Sequence, residues 1–171
     1  ELSQATFGPE GRQLFVGSRD TGLFAFNVAS GDVLWNQHLD GGVVGSPAIG
    51  KTLAFVGAGS GELVAVEKET GQQVWQTTLK GMVVTRPILF GNDVIVRDGT
   101  NTIYAFDQAT GAWRWQVSRA KPLKFSAAGE SPLFIASGQL YVGLSNGLLL
   151  CLDAANKGKL LWELDLGGDG E

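Results

Sequence analysis

Apolar positions along this chain come in short runs, and the runs stop at glycine. "TLAFVGA" (52–58) and "QLYVGL" (139–144) are rich in β-branched and aromatic residues and have strand length. A turn follows, at Ser60 and Gly61 in one case and at Asn146 and Gly147 in the other, and a second run begins. In that second run, "ELVAVE" (62–67) or "TIYAFD" (102–107), neighbouring positions are all apolar. Leu63 and Ala65 face one way while Val64 and Val66 face the other, so the pattern predicts a sheet covered on both faces. Each second run ends at an acidic residue and turns through Thr-Gly into "QQVWQTTL" (72–79) or "AWRWQVS" (112–118), where polar residues return at alternate positions. A further short strand opens each unit near "VVGSPAI" (43–49) or "VVTRPIL" (83–89).

These units keep time. Trp35, Trp75 and Trp115 are 40 residues apart, and Trp162 follows after 47. Gly31, Gly71, Gly111 and Gly158 each precede their tryptophan by four residues, and Val16, Val56 and Val96 precede theirs by 19. Four short antiparallel strands in about 40 residues is the size of one propeller blade. The expectation is an all-β propeller of four-stranded antiparallel blades, with about four blades present, half of an eight-bladed ring. The blades run approximately over 1–39, 40–79, 80–119 and 120–166, with a glycine-rich tail at 167–171.

The turn chemistry accounts for the motif before each tryptophan. Asp107 and Thr110 can accept hydrogen bonds from nearby backbone N–H groups and hold a tight turn. Gly111, like Gly31 and Gly71, supplies a backbone shape that side chains resist. The turn then aims the indole at a fixed neighbour. Burial of one indole removes roughly 150–250 Å² from water, an upper bound of about 4–6 kcal/mol. Trp35, Trp75, Trp115 and Trp162 are therefore expected to staple blade to blade. Ala25, Ala65, Ala105 and Cys151 recur as small residues where a neighbouring sheet must come close.

Composition narrows the functional classes. A net charge of −4 argues against a dedicated nucleic-acid binder, which needs clustered Lys and Arg. No run of about 18 apolar residues predicts a membrane-spanning helix. The single cysteine, Cys151, excludes an intramolecular disulfide and a two-cysteine metal site, and reads as core. The chain starts at Glu1 with no Met, basic stretch or apolar leader, and is expected to be a processed or truncated product.

The repeat is broken most between Trp115 and Pro132. That gap is 17 residues, against 12 for Trp35–Pro47 and Trp75–Pro87. The enlarged connection, "QVSRAKPLKFSAAGESP", sets Arg119, Lys121 and Lys124 around Leu123 and Phe125, a combination suited to protein contact. The motif in "AFDQATGAWRW" (105–115) resembles the tryptophan-docking repeat of the quinoprotein, or PQQ-like, β-propellers, across essentially the whole chain. "FSAAGESPLFIASGQLYVGLSNGLLLCLD" and "TRPILFGNDVIV" are similar to the corresponding stretches of the BamB family, lipoproteins of the outer-membrane β-barrel assembly machinery. That resemblance implies a non-catalytic, periplasmic scaffold held at the inner leaflet of the outer membrane by an N-terminal lipid absent from this chain. It implies binding of a BamA-like subunit just before "GES", with Lys124, Phe125, Ala127, Ala128 and Glu130 as the contact residues. The family's arginine position reads Ala128 here. Unfolded outer-membrane proteins are further expected partners by strand addition, and open blade edges are expected to favour self-association.

The enzyme alternative is a quinoprotein dehydrogenase. It would need clustered oxygen ligands for Ca²⁺ and adjacent cysteines, whereas Asp32, Glu67, Glu69, Asp93, Asp98 and Asp107 are scattered over turns. No catalytic residue, metal site or cofactor is expected. His38 reads as a solvated strand end, and "GAGSGE" (57–62) lies between strands rather than before a helix, so it reads as a hairpin turn and not a phosphate cradle. A sensor or adhesion propeller binding another protein is the remaining reading.

Overall fold

The computed structural model describes residues 1–43, 45–83, 85–119, 132–145 and 147–166. Within them the first sheet comprises β1 (Thr6–Phe7), β2 (Gln13–Ser18), β3 (Gly22–Asn27) and β4 (Val33–His38). The second holds β5 (Ala48–Ile49), β6 (Leu53–Gly57), β7 (Glu62–Glu67) and β8 (Gln73–Thr78). β9 (Ile88–Phe90), β10 (Asp93–Arg97), β11 (Thr102–Asp107) and β12 (Trp113–Ser118) form the third. β13 (Phe134–Ala136), β14 (Gln139–Gly143), β15 (Leu148–Asp153) and β16 (Lys159–Asp165) form the fourth. Spatial order follows chain order in every sheet and every pairing is antiparallel, so short hairpins suffice as connections. These are four blades of an all-β propeller. No helix of the described residues is long and apolar enough to cross a membrane.

The hairpin between the third and outer strands is built the same way four times. The N–H of Gly31, Gly71, Gly111 and Gly158 donates to the carbonyl of Asn27, Glu67, Asp107 and Asp153, respectively. Each of these glycines has a positive φ, between 68° and 77°, which a side chain would strain. In the third blade Asp107 Oδ1 accepts from the backbone N–H of Ala109 and Thr110 and from the Thr110 hydroxyl. The fourth turn has one more residue, absorbed by Lys157 at φ 53°.

Beyond the turn, a bulge sets the tryptophan's direction. Trp35, Trp75, Trp115 and Trp162 stand opposite Ala25, Ala65, Ala105 and Cys151, and the register shifts immediately afterwards in all four sheets. The extra residue resets the alternation so that the large ring and the small residue share a face.

The sheets stack face to face. Ala54, Val56, Val64 and Val66 of the second sheet are buried with Phe15, Leu23 and Ala25 of the first. Forty residues on, Val94, Val96, Tyr104 and Phe106 of the third sheet are buried with Phe55, Leu63, Ala65 and Trp75 of the second. Leu140, Val142, Leu150 and Leu152 of the fourth are buried with Ile95, Ile103, Ala105 and Trp115 of the third. Every inner sheet is therefore apolar on both sides, which is why the strands of "LVAV" and "IYAF" lack polar alternation.

Polar pins cross the same joints. Lys68, only 3% exposed, donates to both carboxylate oxygens of Glu10, at 3.1 and 2.9 Å, between the second and first units. That bond holds the Glu10 carboxyl below its usual range. Within the third unit, Asp98 accepts from the N–H of Gly81, on the connection leading in from the second sheet, and from the hydroxyl of buried Tyr104, each at 3.1 Å. Burial and the neighbouring Asp98 charge raise the Tyr104 phenol. Between the third and fourth, the buried Arg97 guanidinium donates to the Gly143 carbonyl, and Asn101 exchanges hydrogen bonds with Ser145. Desolvation lowers the Arg97 guanidinium from its ordinary value.

Candidate interaction surface

Three of the four recurring tryptophans meet the next blade in one way. The Trp35 indole lies on the Gly71 turn, so close that a Cβ at Gly71 would stand 2.5 Å from its Cε3. Its Nε1 donates to the Lys68 carbonyl at 3.0 Å. Trp75 lies on Gly111, where a Cβ would stand 2.7 Å from Cδ2, and its Nε1 donates to the Gln108 carbonyl at 2.9 Å. Trp115 covers Gly158 at the same 2.7 Å. The turn glycine thus has a second role besides its φ: lacking a Cβ, it is the floor on which the preceding blade's indole rests.

Each ring is also held on its own sheet. Phe15 and Trp35 have centroids 5.8 Å apart, as do Phe55 and Trp75, and Tyr141 and Trp162 are 6.1 Å apart at a similar tilt. Trp162 is therefore posed like the docked rings but is 43% exposed. At the other end, Gly31 has no atom within 4 Å of where its Cβ would be.

Both ends carry exposed apolar side chains. On the first sheet, Phe7, Leu14, Val16, Phe26 and Val28 line a groove of about 330 Å³ that ends at Gly31. On the fourth, Leu161, Trp162, Leu164 and Leu166 are exposed along and beyond β16. Patches of this kind on otherwise polar surfaces mark contact sites.

The residues expected to touch a BamA-like subunit (Lys124, Phe125, Ala127, Ala128 and Glu130) lie outside the described residues, as do Lys121 and Leu123. Their flanks are described. Arg119 forms an ion pair with Glu163 of β16 at 3.3 Å, so this cation of the basic connector is turned onto the fourth sheet. Leu133 is buried in the joint between third and fourth blades, while Phe134 is 60% exposed.

Groups able to do chemistry are dispersed. His38 is exposed at the end of β4, with Nδ1 3.0 Å from the Thr21 carbonyl, and Cys151 is buried. Among the described residues no group of three or more His, Cys, Asp or Glu could hold a metal ion. Asp107 is bonded to Arg114 and Thr110, which together hold its carboxyl below the usual range and account for it as a turn residue. Where the inner ends of the blades converge, Ser3, Arg19, Ser46, Thr85, Arg86 and Pro132 border a shallow polar basin of about 350 Å³.

Sequence reasoning missed Lys68, Glu10, Asn101 and Arg97. The signal available was a break of period, since the equivalents of Lys68 are Val28 and Gln108, neither of them charged.

Comparison with known proteins follows the same lines. A family model described as "Outer membrane protein assembly factor BamB" matches residues 2–53 and 19–171. The crystal structure of BamB from Moraxella catarrhalis overlays with a TM-score of 0.78 at 22% identity, covering 93% of this chain and 47% of that one. The computationally designed Ika8 protein overlays with a TM-score of 0.80 at 18% identity, covering 100% of this chain and 51% of that one. The chain thus spans about half the length of each of these solved structures. No curated protein matches it.

Proposed function

We propose a function from one premise: the chain belongs to the family of the outer membrane protein assembly factor BamB. The protein acts as a non-catalytic scaffold at the periplasmic face of the outer membrane, where it supports insertion of β-barrel proteins. It works by binding a BamA-like subunit through the connector between the third and fourth blades, residues 116–132, with Phe125 as apolar anchor and Lys124 as the nearby cation. Exposed outer strands such as β8 and β12, each the last in its sheet, offer edges to which an extended client segment can add.

The observation that carries this reading is the family match along nearly the entire chain, supported by a connector enlarged where the blade period breaks. A pull-down with the periplasmic domains of a BamA-type subunit tests it. Wild-type chain is retained, and Phe125→Ala and Lys124→Ala each weaken retention; a wild-type chain that passes through unretained removes the reading.

A further inference from the structure

We draw no further inference here: the strongest candidate, the shallow polar basin bordered by Arg19 and Arg86 where the inner ends of the blades converge, carries nothing, because Arg19 is already paired with Glu1 at 3.1 Å and nothing in the structure shows what fills the basin.

Discussion

Trp75 rests on Gly111 so closely that a single methyl group at that glycine would stand 2.7 Å from the indole. The contact joins residues 36 positions apart and welds the second blade to the third. Gly111 also has φ 71°, so two separate penalties attach to any side chain there. Gly91 allows them to be separated, because its φ is 55° but nothing lies within 4 Å of its Cβ position. Gly91→Ala is expected to cost about 1–2 kcal/mol from backbone strain alone. Gly111→Ala adds about 1–3 kcal/mol of overpacking. Urea midpoints of the two variants measure the difference, and equal midpoints would remove the floor role of Gly111.

Trp113 and Trp115 are two residues apart on one strand yet stand in opposite circumstances. Trp115 is buried against the fourth blade and Trp113 is 61% exposed. Trp115→Ala should lower stability by about 3–5 kcal/mol, and Trp113→Ala by less than about 1 kcal/mol. Chemical denaturation followed by circular dichroism compares them directly.

The bond between Lys68 and Glu10 makes stability sensitive to acid. The Glu10 carboxyl titrates below its ordinary value of 4.5 because Lys68 donates to it in the folded chain. The contribution is therefore full above that ordinary value and is lost as pH falls below it, through the lowered one. The melting temperature of wild type should fall more steeply below about pH 4.5 than that of Glu10→Gln. At neutral pH Lys68→Met should be milder than Glu10→Ala, since the latter leaves a buried ammonium with only the more distant Glu69 carboxylate, at 3.7 Å. Parallel melting curves for wild type and Glu10→Gln across the acid range would count against the pairing.

Asn101 combines a left-handed backbone, φ 63°, with hydrogen bonds to Ser145 of the fourth unit at 2.8 and 3.3 Å. Asn101→Gly keeps the backbone comfortable and removes the bonds, an expected loss of about 1–2 kcal/mol. Asn101→Ala adds the strain, about 1 kcal/mol more. Amide hydrogen exchange in β14 and β15 should accelerate in both variants, more so in the second.

What the sequence made legible is the part of the fold that repeats locally. The strand runs, the Asp-Thr-Gly turns and the forty-residue spacing need no long-range information, because turn chemistry and alternation act within a few residues. The partner of each tryptophan was not legible in the same way. Gly71 lies four residues before Trp75 and 36 after Trp35, and periodicity alone ties it to both. Only coordinates show that the indole resting on it is Trp35. The polar pins Lys68–Glu10 and Asn101–Ser145 were invisible for a different reason: each occurs once, so no repeat points to it. The contact residues assigned by resemblance, Lys124 to Glu130, fall outside the described residues, so their place rests on the proposed pull-down.

The recurring seat of an indole on the next blade's turn glycine has a further consequence for how such a chain can change over time. A blade touches only its two neighbours, and the indole-on-glycine part of each contact recurs from copy to copy. Duplicating or deleting one whole unit therefore leaves each remaining indole with a compatible glycine turn, while losing half a unit strands one of each. Genes encoding this architecture can lengthen or shorten by single blades without inventing a new interface, and circumference becomes a matter of counting.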